Sequence, residues 1–389
     1  MKQSIRIAYC IPGLYASSGM ERTLTLKANY FADKLGYEVY IIMTEEIDKK
    51  PFYELSDKIK TINFNINFDK MHHLPFIQRI LRYFYNQHIY KKKLTKTLND
   101  LQPDITISVL RREINFINDI DDGSIKVGEF HFSRDNYRDF KNIKTLPIIQ
   151  KTVSYLWNKQ LLGKLKQLGM FVVLTNEDRL KWTELTNVTN IPNALTFTPK
   201  RISDCSAKQV IAVGRYTYQK GFDMLIKAWK MVAEKHTDWT LQIYGDGDKK
   251  EYDCIVKSLH LEDSCILNST TKEIDAKYAE SSIFVLSSRY EGFGMVITEA
   301  MVCGVPPVSF ACPCGPRDII KDGEDGFLVE NENLEMLADR INFLIENENI
   351  RKQMGQQAQI NVNKLKIENI AQQWDSLFNK LIAEKKTNQ

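Results

Sequence analysis

The feature that most constrains this chain is a rhythm near its start. An apolar run "IRIAYCI" (5–11) meets a glycine-bearing turn "PGLYASSGMER" (12–22), then a helical run "RTLTLKANYFADKL" (22–35) and a second apolar run "YEVYIIM" (37–43). Gly36 between the last two suits a helix C-terminus, where only a residue without a Cβ turns left-handed cheaply. Two strands joined through a helix lie parallel, with a right-handed crossover. Further apolar runs at "DITISVL" (104–110), "IKVGEF" (125–130) and "MFVVLT" (170–175) extend the same sheet.

The rhythm pauses at "NIPNALTF" (190–197), where Pro192 and Asn193 read as a linker, and then restarts. Strands are expected at "QVIAV", "TLQIY", "CILNS", "IFVLSSR" and "PPVSF". Helices are expected over "FDMLIKAWKMVAEKH", "KEYDCIVKSLH" and "EIDAKYAES", from about Gly294, and as a long tail from Glu332; "KDGEDGFLV" reads as a turn. At 389 residues the chain exceeds what one core usually supports. The expectation is two Rossmann-like α/β domains, 1–192 and 193–370, with 371–389 as a terminal helix.

No run approaches the ~18 apolar residues of a membrane span, and no secretory cleavage pattern opens the chain, so a cytoplasmic protein is expected. The seven cysteines form no C-x-x-C pair, which fits reduced thiols and no zinc site. The net charge of +4 hides an asymmetry: residues 1–195 carry 29 Lys+Arg against 21 Asp+Glu, and residues 196–389 carry 24 against 28. The first half is drawn to anionic surfaces. Within it, "RILRYFYNQHIYKKKLTKTL" (79–98) mixes apolar, aromatic and basic residues, as does 146–169; each reads either as an interfacial amphipathic helix or as a packed helix with a solvated basic face. No nucleic-acid recognition motif accompanies these charges.

In an open parallel sheet, ligands sit at the carboxyl ends of the strands, where helix N-termini present free N–H groups. Three post-strand turns are candidates. "GRYTYQKG" (214–221) follows "VIAV" and carries Arg215 and Lys220, either diphosphate contacts or ordinary solubility charges, with Gly214 permitting close backbone approach. "YGDGD" (244–248) brings Gly245, either a nucleotide-facing turn or a plain one. "SSRYEGFGMVITEAMVCGVPPVSF" (287–310) holds Glu291 before the helix and Glu299 inside it. Eight helical residues span roughly 12 Å, too far to share a proton but suited to two parts of a long ligand. Backbone at Phe293, Gly294 and Met295 then faces phosphate; alternatively, the two acids simply flank a helix start.

This last segment resembles the E-x7-E segment of retaining GT-B glycosyltransferases of family 4. "VGRYTYQKGFDMLIKAW" resembles that family's phosphate segment, "IYGDGD" its glycine-rich turn, "CGPRDIIKDGEDGFLV" the segment after the E-x7-E helix, and "NIPNALTF" its linker. The likeness covers most of 190–345 and is looser in the first half, at "SSGMERTLTLKANYFA".

The resemblance implies a GT-B fold, two Rossmann-like domains facing each other across a cleft, with the last helix crossing back to the first domain. It implies that Arg215 and Lys220 stabilise a leaving diphosphate, Glu299 holds ribose hydroxyls, Glu291 lies beside the transferred sugar, and Gly19 admits the donor. It implies no metal and no cofactor beyond the nucleotide-sugar substrate. His131, in "KVGEFHFSRDNYRD", resembles a family histidine near the reacting sugar, although many members place it directly after the glutamate, whereas Phe130 intervenes here. It is either that group or a structural histidine. Arg111 and Arg112 are either acceptor contacts or surface charges.

The expected activity is retaining transfer of a hexose or N-acetylhexosamine, from a UDP-sugar, to a lipid-linked glycan, lipopolysaccharide or capsular polysaccharide. A peripheral anionic membrane surface is an expected partner. The alternatives are a nucleotide-sugar epimerase or sugar phosphorylase of the same architecture, and a catalytically silent binding subunit.

Overall fold

Strands covered by helices on both faces read as unbroken apolar runs, because neither side of the sheet meets water. Such runs build two all-parallel sheets in this protein, seen in a computed structural model that describes residues 4–137 and 147–387. Leu146, at the start of the second basic segment, lies outside the described residues. Contacts divide the chain into one unit of Met1–Leu174, Asp178–Ala194 and Ile367–Gln389, and another of Thr175–Glu177 and Leu195–Lys366.

The first unit runs β1 (Arg6–Ile11), α1 (Gly19–Asp33), β2 (Glu38–Met43), β3 (Lys60–Asn63), α2 (Phe76–Leu101), β4 (Ile105–Ser108), β5 (Ile125–Glu129), α3 (Pro147–Lys166), β6 (Met170–Val173), α4 (Asn176–Lys181) and β7 (Val188–Asn190). Its sheet has the order β3-β2-β1-β4-β5-β6-β7. Ser18 caps α1 by accepting from the Glu21 amide at 3.4 Å, and Leu24, Ala28 and Phe31, spaced four and three apart, bury one face.

The second unit runs β8 (Gln209–Val213), α5 (Phe222–Ala233), β9 (Thr240–Tyr244), α6 (Lys250–Ser258), β10 (Cys265–Asn268), α7 (Ile274–Ala279), β11 (Ile283–Leu286), α8 (Met295–Val302), β12 (Pro307–Phe310), α9 (Pro316–Ile319), β13 (Phe327–Val329), α10 (Leu334–Glu346) and α11 (Glu348–Val362). Its sheet order is β10-β9-β8-β11-β12-β13. On α5, Leu225, Ile226, Trp229 and Val232 repeat at helical spacing and are wholly buried. Helix α12 (Ile367–Thr387) belongs to the first unit, where Phe378 meets Phe31 of α1 edge-on at 5.9 Å.

Three strands differ from the sequence expectation. β3 and β7 close the two edges of the first sheet and β13 one edge of the second, inside the stretch read as a turn. Edge strands have one ladder partner and one wet side, so they need no apolar run. The expected long tail is three helices, interrupted at Asn347 and again before Ile367.

In each sheet the order reverses at one point, between β1 and β4 in the first and between β8 and β11 in the second. A crevice opens beyond the carboxyl ends of the strands at such a reversal, because the flanking connections leave in opposite directions.

Candidate functional site

The loops after β8 and β11 flank the reversal of the second sheet, and the sequence arms both. Lys220 Nζ lies 2.7 Å from Glu291 Oε1, joining the two loops, and Ser288 Oγ donates to the same oxygen at 2.6 Å. The side chains of Lys220 and Glu291 are only 13% and 7% exposed, so this is a largely desolvated pair.

Around it the loops are stitched by backbone. The Arg289 amide donates to Gln219 O at 2.8 Å, Gln219 Nε2 to Tyr290 O at 3.0 Å, and Ser287 Oγ to Lys220 O at 3.0 Å. Glycines set the spacing: a Cβ on Gly221, at φ 64°, would sit 2.1 Å from Ser287 O, and one on Gly245 would sit 1.9 Å from Gly214 O. Gly214 N in turn donates to Tyr244 O at 3.0 Å. The turns after β8, β9 and β11 therefore hold one another at backbone distance.

Glu299, on α8, is 5% exposed and has different partners: Thr196 Oγ1 donates to it at 2.8 Å and Tyr278 OH at 3.3 Å. These bonds orient the carboxylate. Helix α8 starts at Met295 after Gly294, whose φ is 89°, and its first turn carries no acidic residue to offset its N-terminal dipole. Phe293 is buried below it. Arg215 is exposed, and among the described residues it makes no ion pair.

The sequence reading overlooked Arg289. Its guanidinium grips Asp223, at the start of α5, through two bonds of 2.7 and 3.0 Å, and lies 3.8 Å from the Tyr218 ring centroid. It ties the loop carrying Glu291 to the one carrying Lys220. The only signal in the sequence is a lone arginine and a lone aspartate 66 residues apart.

In the first unit, Gly19 is the exposed first residue of α1, just after the β1 turn. The His131 side chain is 4% exposed, and its Nε2 lies 3.2 Å from Glu129 Oε1. The intervening Phe130 explains this pairing. Side chains alternate along an extended strand, so Phe130 enters the core against Phe171 and Trp182 while Glu129 and His131 share the opposite side. Burial alone would raise the Glu129 carboxyl, but Lys27 and His131 outweigh it and bring it to about 2. Lys27 pairs with Glu129 from α1, and its ammonium lies 4.5 Å from the Trp374 ring centroid. Arg112 is engaged by Asp69 at 2.7 Å, whereas Arg111 lies over the Phe132 ring.

Glu21 is another carboxylate at this end of the first sheet. It is 8% exposed, with Oε2 buried and unbonded among the described residues, and burial raises it to about 7. A carboxyl raised on folding favours the folded state fully below its ordinary pKa of 4.5, and that advantage is lost as pH rises to about 7. Glu21→Gln is expected to stabilise the protein by about 2 kcal/mol at pH 8 and by little at pH 4. Denaturant titration at the two pH values checks this; an equal effect at both would refute the buried ionisation.

Among the described residues, no three His, Cys, Asp or Glu side chains cluster as metal ligands, all seven cysteines are free thiols, and no helix is long and apolar enough to cross a membrane.

Residues 198–360 match the model of the family described as glycosyl transferases group 1. Over 383 residues, 96% of this chain and 99% of the relative, the sequence is 29% identical to an uncharacterized glycosyltransferase of Haemophilus influenzae. It is 36% identical over 219 residues to the amylovoran biosynthesis glycosyltransferase AmsD of Erwinia amylovora, covering 54% of this chain and 61% of AmsD. The fold is shared with a mutant of S. aureus TarM crystallised with fondaparinux, alpha-GlcNAc-glycerol and UDP, at a TM-score of 0.76, 18% identity, and 97% and 100% coverage of the two chains. The two parallel-sheet units thus have the GT-B fold of the solved glycosyltransferases, and most of the second unit is similar to the glycosyl transferases group 1.

Proposed function

We propose that the protein transfers a hexose or N-acetylhexosamine from a UDP-sugar, with retention of configuration, to a hydroxyl of a lipid-linked glycan, lipopolysaccharide or capsular polysaccharide, acting in the cytoplasm. The observation that carries this reading is the Lys220–Glu291 pair over the sheet reversal, with Glu299 separately anchored on the next helix. The diphosphate lies against Lys220, Arg215, the turns at Gly214 and Gly245, and the α8 start at Gly294 and Met295. Glu299 accepts from the ribose hydroxyls, and Glu291 from the sugar. As the sugar–oxygen bond breaks, charge builds on the β-phosphate, and Lys220 and Arg215 stabilise it. This gives a metal-independent reaction without a further cofactor.

Retention is supported by how the acids are occupied: Glu291 is bound to Lys220 and Ser288, and Glu299 to Thr196 and Tyr278, so neither is placed as a free base. The UDP in the TarM complex supports the choice of nucleotide, and the named role of AmsD in amylovoran biosynthesis supports a polysaccharide acceptor. His131, beside Glu129, and Gly19 are the groups of the first unit assigned to the sugar end.

A panel of nucleotide sugars, assayed for UDP release with and without glycan acceptors, tests the reading. Acceptor-dependent release from one UDP-sugar is expected, and conversion of donor without acceptor would indicate an epimerase instead. Glu299→Gln should raise the donor KM about tenfold or more with a smaller change in kcat, because it acts on a part of the donor remote from the reacting bond. An unchanged KM would remove Glu299 from the ribose.

A further inference from the structure

The first ten residues of α2 project from their unit. From Phe76 to Tyr85 only Arg79 and Tyr83 are partly covered, and Phe76, Ile77, Leu81 and Phe84 are 67%, 72%, 66% and 65% exposed. Farther along, the same helix packs normally, with Tyr90, Leu94 and Leu98 in the core. It therefore carries two apolar rows: one enters the protein, and a second at Ile77, Leu81 and Phe84, roughly 100° round the helix from the first, faces water. Covering each such side chain is worth about 1.5–3 kcal/mol, so a bare row of this kind marks a contact surface.

Helix α3 adds a second exposed patch, at Tyr155, Leu156 and Trp157. Asp119 binds Lys91 of α2 at 2.9 Å and Lys164 of α3 at 3.3 Å, and Leu161 and Leu165 share a core cluster with Tyr90 and Leu94. The two helices thus cover the same face of the sheet. Each leads into a parallel strand, β4 or β6, so both N-terminal halves stand at the carboxyl edge of the sheet.

The charges identify the occupant. Helix α2 carries six Lys and Arg and no acidic residue before Asp100. Lys91 and Lys93 are used internally, the latter by Phe64 O at 3.0 Å, so the basic stretch is less free than its sequence suggests. Arg79, Arg82, Lys92 and Lys96 make no ion pair among the described residues; the first two guanidinium groups lie near the Phe76 and Tyr85 rings. A second copy pairing through this face would set these cations against their own copies.

We propose that this edge of the first unit docks on an anionic lipid bilayer, with the aromatic and aliphatic row entering the headgroup boundary and Arg82, Lys92 and Lys96 meeting lipid phosphates. The contact is independent of turnover and can be read without it. In flotation assays, the wild type is expected to bind phosphatidylcholine vesicles containing phosphatidylglycerol, to ignore pure phosphatidylcholine, and to be released by raised salt. Leu81→Glu with Phe84→Glu should cut binding about tenfold or more, and Arg82→Ala with Lys92→Ala several-fold. Thermal unfolding and UDP release from the donor in the presence of a soluble acceptor should stay unchanged, because these side chains are exposed. No vesicle binding, equal binding to both vesicle types, or unaltered binding by the double glutamate variant would overturn the proposal. So would a wild-type dimer that this variant makes monomeric.

Discussion

Replacing Lys220 with alanine is expected to lower turnover by about 100- to 1000-fold, the loss seen when one preorganised charge-stabilising donor is removed from an active site. A second effect should accompany it. Glu291 is 6% exposed and, among the described residues, its carboxylate keeps only Ser288 as a partner once the ammonium is gone, and removing one member of a buried ion pair costs about 3 kcal/mol or more. Adding Glu291→Gln to Lys220→Ala should restore most of that stability while leaving turnover low. UDP release and denaturant unfolding on the two single variants and the double variant separate the effects. Near-wild-type turnover of Lys220→Ala would remove Lys220 from the chemistry; additive losses of stability would mean the pair is not coupled.

Gly245→Ala should damage the site without touching a charge. Gly245 does not have a positive φ, so its backbone accepts alanine, but the new Cβ would lie 1.9 Å from Gly214 O. That obstacle is main chain and cannot rotate away. The turns after β8 and β9 must separate, at an expected cost of about 2–3 kcal/mol in stability and about tenfold or more in UDP affinity. Gly163→Ala is the matched control, since a Cβ there meets nothing within 4 Å on a helix and alanine should be neutral to stabilising. Calorimetric titration with UDP and thermal unfolding check both; equal behaviour of the two variants would refute the backbone interlock.

Most of the fold was legible because each buried parallel strand is written as a continuous apolar run, and "VIAV" or "IFVL" can hardly be anything else. The strands missed, β3, β7 and β13, are edge strands of three or four residues, whose place is decided by a neighbour distant in sequence. The charged residues that the structure gathers after β8 and β11 were legible one by one, because they stand in loops that directly follow buried strands. Their wiring was not: that Lys220 turns toward Glu291 while Arg215 points to solvent is a matter of rotamers and packing. The grip of Arg289 on Asp223 is a tertiary pairing that no local pattern encodes. The Glu129–His131 relation stood between the two. Strand alternation was available from the sequence, and it turns the extra Phe130 from an irregularity into the reason the pair forms.

The Lys220–Glu291 bridge also bears on what the resting site rejects. Its charge is already balanced, so a stray phosphate or sulfate drawing Lys220 away would strand a carboxylate that has little access to water. That penalty is several kcal/mol unless the visitor supplies its own hydrogen-bond donors to Glu291. A nucleotide sugar brings both, an anion for the lysine and hydroxyls for the glutamate. With the donor proposed above, the bridge would act as a coincidence requirement, admitting anionic ligands that carry a sugar and discounting those that do not.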